Sequence, residues 1–263
     1  MELWLRILFG VAALCYLLSG VCAVLRKGRC AALSRIVALS GFAAHTCAIA
    51  ALAAHFSRAP LANPYGLVES IAWAIMALHI LAALVLKMRI GEVVAPVFNS
   101  VLTGLPVLCP KFMSEISAGG ALDFVPGLHA LLAVASFAAL AFAAGLGAVY
   151  IVSRRLIREK SNSGFAKDNP PLAASARIGR GAMFCAAALM AASLLAGIAA
   201  STRIEMSAGF ALKFCAGAAV FLMMLFFCAF SKKISELAAA KLSIVIFIVS
   251  LLLLIPIEIG LRL

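Results

Sequence analysis

The stretch Phe124–Lys160, FVPGLHALLAVASFAALAFAAGLGAVYIVSRRLIREK, decides the fold class. Pro126 primes a helix start, since a proline loses nothing in a first turn whose N–H groups have no intrahelical partner. His129 follows within that turn. About twenty apolar or small residues then run without a charge, which is the helical length that crosses roughly 30 Å of hydrocarbon. The run closes on Arg154, Arg155, Arg158 and Lys160, and such a basic cluster holds its end of a membrane helix in the cytoplasm. His129 is thereby expected at the opposite, outer boundary, where an imidazole can meet a polar ligand while its helix stays in lipid.

The rest of the chain has the same character. Hydrophobic residues make up 65% of the 263 and charged residues 12%, and mean hydropathy is +1.15. Such a chain has too little polar surface to face water, which excludes a soluble domain and predicts an all-α, polytopic membrane bundle. The net charge of +12 reports topology rather than a nucleic-acid partner, because basic residues collect in loops retained in the cytoplasm. The eight cysteines include no CxxC pair and mostly lie within apolar runs, where cysteine acts as a small packing residue. MELWLRILFGVAALCYLLSGVCAVL reads as a first membrane helix rather than a cleaved leader, because its apolar run is long and its basic cluster follows it.

Eight apolar segments are expected to span, at 4–25, 33–56, 66–86, 91–109, 125–153, 181–201, 208–230 and 242–261. The fourth, interrupted by Pro96, Asn99, Gly104 and Pro106, is expected to be a kinked span. With both termini outside, sixteen of the 22 Lys and Arg fall on the inner side and six on the outer. SNSGFAKDNPP marks a cytoplasmic linker over 161–180, dividing a five-helix part (1–160) from a three-helix part (181–263).

The four histidines, His45, His55, His79 and His129, all precede residue 130. A rise of 1.5 Å per residue places His55 and His129 near the outer boundary, with His45 roughly 15 Å and His79 roughly 20 Å deep. Two depth-matched pairs are therefore open, His55 with His129 and His45 with His79. Imidazoles at one depth on two helices suit a metal or a bis-histidine haem, and a lone histidine equally serves as an interfacial anchor or a bundle hydrogen-bonder. In the outer stretch APLANPYGLVESIAW, Glu69 is expected in the first turn of the third helix with Trp73 one turn on. They form either a capped, anchored helix start or one wall of an outer pocket. Arg58, Lys111 and Arg203 are outer basic residues able to meet propionates or to remain solvated. No phosphate loop, hydrolase elbow, zincin helix or carboxylate pair is present, so no enzyme activity is expected.

Pro60, Leu61, Asn63, Glu69, Ser70 and Trp73, followed by a long helix with an early His129 and a closing Arg155, Leu156 and Lys160, resemble the cytochrome c assembly membrane proteins. That family includes the CcsA and CcmC haem-handling proteins and the smaller HemX-type proteins, whose eight-helix layout this chain resembles most. Ser136-Phe137-Ala138 stands where the family shows S-Y-A. The family's tryptophan-rich outer segment would fall at STRIEMSAGFALK, which has no tryptophan. The resemblance implies a haem b handling protein of the inner membrane, with His129 and His45 as candidate iron ligands and His55, His79, Trp73, Glu69 and Arg58 around the cofactor. It also implies a partner membrane protein of a cytochrome c assembly system. The alternatives are a haem-free regulator or scaffold for tetrapyrrole synthesis and, further off, a small-solute transporter.

Overall fold

A computed structural model of the protein describes residues 3–25, 29–56, 61, 64–85, 93–108, 124–160, 171–201 and 208–260. Eight helices follow in order: α1 (Leu3–Leu25), α2 (Arg29–Phe56), α3 (Pro64–Val85), α4 (Val94–Leu108), α5 (Phe124–Arg158), α6 (Leu172–Ser201), α7 (Ala208–Phe230) and α8 (Glu236–Gly260). The described residues contain no strand, as the composition requires. Among the described residues, seven helices are long and apolar enough to cross a membrane, and the chain is a multi-pass membrane protein. α1 shows why. Its buried face holds Leu5, Phe9, Ala12, Tyr16 and Ser19, while Ile7, Val11, Leu14, Leu18 and Val21 form an exposed stripe at helical spacing. A helix apolar on both its packed and its outer face has lipid as its natural surroundings.

The fourth segment differs from expectation. α4 has 15 residues, about 22 Å at 1.5 Å per residue, short of the roughly 30 Å a span needs. Pro96 lies in its first turn, where a missing N–H costs nothing.

The chain forms two compact units, Met1–Ile80 with Gly91–Asp123, and Leu81–Ile90 with Phe124–Leu263. The division thus precedes α5, whereas the sequence placed it in the 161–180 linker. α5 packs most extensively against α6 across that linker, so the two belong together. Residues 172–180, expected as linker, form the first turns of α6. The Pro171 carbonyl accepts the Ser175 N–H at 3.0 Å to start the helix, and LAASARIGR continues it before the most apolar part of the segment begins. Apolar length marks where lipid is, whereas the helix extends wherever backbone propensity allows. α8 likewise begins at Glu236, before its apolar run.

In the first unit α1 packs between α2 and α4. Glycines permit the close approaches: a Cβ on Gly41 would lie 2.9 Å from Cys15 Cβ, and one on Gly20 would lie 2.5 Å from Val97 Cγ2. Leu5 and Phe9 of α1 and Ala48 and Leu52 of α2 form a buried cluster. Elsewhere on the same two helices, Ser19 Oγ donates to the Ser34 carbonyl and Ser34 Oγ to the Ser19 carbonyl, both at 2.9 Å. A reciprocal serine pair ties two membrane helices with no polar atom left in lipid. Ser19→Ala is expected to lower stability by about 0.6–1.7 kcal/mol, read as thermal unfolding in detergent; no change would mean the pair contributes only shape.

In the second unit, Ser136 Oγ donates to the Ala186 carbonyl at 2.7 Å and joins α5 to α6. α8 approaches α5 at Gly147, where a Cβ would lie 2.7 Å from the Ala240 carbonyl oxygen.

Candidate functional site

Two polar constellations, one in each unit, are built around His45 and His129. In the first, three helices converge on His45 of α2. Tyr16 of α1 lies with its hydroxyl 3.3 Å from Nδ1, and Glu69 of α3 brings Oε2 to 3.0 Å from Nε2. His45 and Glu69 are both wholly buried. The rings of Phe9 and Tyr16 meet the imidazole edge-on, each with centroids 6.0 Å away. A phenol, an imidazole and a carboxylate away from water require one another, because each alone carries a large desolvation cost. The Glu69 contact is close but lies off the direction of a ring N–H, so it is not a well-formed hydrogen bond.

This arrangement corrects two expectations. Glu69 is not in the first turn of α3, which begins at Pro64 and has no acidic residue there; it is a turn deeper and faces α2. His45 therefore pairs with Glu69 rather than with His79. His79 lies ten residues beyond Glu69 on α3, about 15 Å along the axis, so it stands at another level. It is partly buried. Trp73, one turn after Glu69, also faces α2: its Nε1 donates to Thr46 Oγ1 at 2.9 Å, and its ring stacks on Phe42 at 5.5 Å. Thr46 in turn donates to the Phe42 carbonyl at 2.8 Å. Trp73 thus clamps α3 to α2.

The second constellation joins α5 to α6. His129 Nδ1 lies 2.7 Å from the Ser193 carbonyl oxygen and 3.1 Å from Ser193 Oγ, while Ser193 Oγ donates to the His129 carbonyl at 3.0 Å. A carbonyl only accepts, so Nδ1 carries the proton and a neutral ring has its lone pair on Nε2. The ring is partly exposed. Gly197, one turn after Ser193, makes room for it: a Cβ there would lie 3.0 Å from Nδ1 and 3.1 Å from Cε1.

The two sites differ in their fitness for haem iron. His45 has Tyr16 beside Nδ1, Glu69 beside Nε2 and no exposed edge, so a haem iron would have to displace one of these neighbours to reach it. His129 has one nitrogen anchored by a backbone carbonyl and the other unengaged on a partly exposed ring. That is the arrangement in which metal-ligating histidines are usually held. Among the described residues no group of three or more His, Cys, Asp or Glu side chains stands ready to hold a metal ion; a haem iron needs at most two. Arg58, Lys111 and Arg203 lie outside the described residues. His55 falls in the last turn of α2, and its side chain also lies outside them.

Sequence reasoning missed Tyr16, Ser193 and Gly197. Tyr16 was legible in principle, as a phenol within an apolar helix needs a polar partner. Ser193 and Gly197 form a small-x-x-x-small step, the pattern that brings membrane helices close. No family model matches the chain, and no curated protein is significantly similar to it.

Proposed function

We propose that this protein binds haem b and handles it for cytochrome c assembly in the inner membrane, with His129 Nε2 as an axial ligand. The observation that carries the reading is the Ser193 carbonyl on His129 Nδ1, which fixes the tautomer and leaves Nε2 as a free donor atom. Bound haem would supply the iron and its redox chemistry. The chain's own residues do the rest: Ser193 sets the ring orientation, Gly197 gives the ring space, and the apolar face of α5 excludes water. The basic residues after Tyr150 favour placing that end in the cytoplasm, so His129 would face outward. Both termini then lie outside, with α4, too short for the full hydrocarbon thickness, crossing where the bilayer thins around it. The Tyr16–His45–Glu69 cluster in this reading is a structural lock for the first unit. A membrane partner carrying an outer domain would receive or deliver the haem.

A second reading, a haem-free regulator or scaffold of tetrapyrrole synthesis, draws on the same contact. The reciprocal Ser193–His129 bonds already tie α5 to α6 and need no ligand.

Oxidised and reduced absorption spectra of protein purified in mild detergent, alone and with added haem, separate the two. A histidine-ligated spectrum is expected that is lost in His129→Ala and in His129→Gln and retained in His45→Phe. Variants of His55 and His79 in the same assay identify the second ligand. Thermal unfolding beside each spectrum distinguishes a lost ligand from a lost fold. Protein that stays colourless with haem present would overturn the reading and favour the scaffold.

A further inference from the structure

We infer that a groove at the basic end of the second unit binds a phosphatidylethanolamine headgroup. The groove lies among α5, α6, α7 and α8 and is shallow and open to the surroundings, with only about 20 Å³ of inner space, so the headgroup lies across its mouth rather than inside it. Its lining includes Gly147 and Tyr150 of α5, Arg180 of α6, Phe227 of α7, and Glu236 and Ser243 of α8. It is independent of His129, which sits five residues into the other end of α5.

Two opposite charges share this groove without joining each other. Tyr150 donates its hydroxyl to Glu236 Oε2 at 3.2 Å, which leaves the rest of that carboxylate open. Arg180 makes no hydrogen bond or ion pair among the described residues, and its Nε is shielded from solvent without a partner. A shielded guanidinium nitrogen without an acceptor is costly, and the planar fork of Arg matches a phosphate bidentately. A ligand that carries a phosphate beside an N–H-bearing cation satisfies both groups and adds no net charge. Phosphoethanolamine has that chemistry. A choline headgroup has no N–H to give Glu236, and a glycerol headgroup has no cation.

The location selects a lipid as the source. α5 has 35 residues, more than the roughly 20 that cross hydrocarbon. Tyr150 stands just before Arg154 and Arg155, at the level where aromatic and basic residues mark the headgroup layer. The inner wall of the groove is apolar, with Gly147 and Phe227, and exposed Phe226 and Phe230 on α7 offer acyl chains a surface to lie on. The close approach of Gly147 to Ala240 sets the depth of that wall.

The test adds dioleoyl phosphatidylethanolamine, phosphatidylcholine or phosphatidylglycerol to the full chain in mild detergent and measures the rise in unfolding temperature with lipid concentration. The ethanolamine lipid is expected to bind about tenfold more tightly than either of the others, the factor one good charge-assisted contact provides. Arg180→Gln should weaken all three phospholipids and leave little discrimination. Glu236→Gln should bring the ethanolamine and choline lipids level; Glu236 is exposed at the first position of α8, so that variant does not depend on Arg180 for its fold. Equal shifts with all three lipids in the unaltered protein would overturn the proposal, as would an ethanolamine preference that survives Glu236→Gln. Soluble O-phosphoethanolamine giving the same shift at the same concentration would overturn the lipid source.

Discussion

His45→Phe is expected to destabilise the folded protein by about 3–5 kcal/mol, the cost of leaving one partner of a buried ion pair behind. Phenylalanine fills the volume between Phe9 and Tyr16, so packing is largely kept and the loss isolates the polar term. Glu69, wholly buried 3.0 Å from His45 Nε2, would lose that polar neighbour with no water to replace it. Total stabilities of about 5–15 kcal/mol make such a loss a large fraction of the whole. The double variant His45→Phe/Glu69→Leu should recover most of it, because exchanging a buried pair for apolar residues of similar size is often neutral or favourable. Thermal or denaturant unfolding in detergent measures both. A double variant as unstable as the single one would show that shape, not charge, holds the three helices.

Much of this architecture was readable from apolar length alone. Segments of the right length became α1, α2, α3, α5, α6, α7 and α8 because a span in lipid has one way to satisfy its backbone. Their ends were harder to read. Residues 172–180 are polar enough to read as linker, yet they helically extend α6, since hydropathy senses the surroundings and not the hydrogen-bond ladder. Seeking partners among histidines alone hid the choice actually made at His45. Measured from the α2 and α3 ends that meet in sequence, His45 lies eleven residues deep, Glu69 five and His79 fifteen, so the count alone lay nearer to His79, four residues off, than to Glu69, six residues off. The carboxylate and the imidazole sit in contact there, and each supplies the other with a polar neighbour away from water.

The His129 site rests on weaker sequence signals, since a serine and a glycine in an apolar helix are usually packing residues. Their significance appears only when α5 is laid on α6 and the Ser193 carbonyl meets Nδ1. A backbone carbonyl cannot be deleted by substitution, so the space beside the ring is the place to perturb it.

Gly197→Val is expected to cost about 1–3 kcal/mol and to displace His129, because its Cβ alone would meet the ring at 3.0 Å and its methyl groups would crowd further into a packed site. Gly197→Ala is the more informative change. Removing a helical glycine gains up to about 1 kcal/mol of backbone propensity, against a ring shift of a few tenths of an ångström that strains the 2.7 Å contact to Ser193. The two effects nearly cancel, so the alanine variant should unfold within about 1 kcal/mol of the unaltered protein. Its haem affinity should nonetheless fall, because the shift acts on the one ring whose Nε2 serves as ligand. Ser193→Ala, which keeps the carbonyl and removes only the hydroxyl, should retain the haem spectrum while losing some stability. A Gly197→Ala protein with unchanged haem binding would separate the ring from the iron and remove His129 as a ligand. Loss of haem in Gly197→Ala at undiminished stability would assign the clearance beside the ring to function rather than to packing.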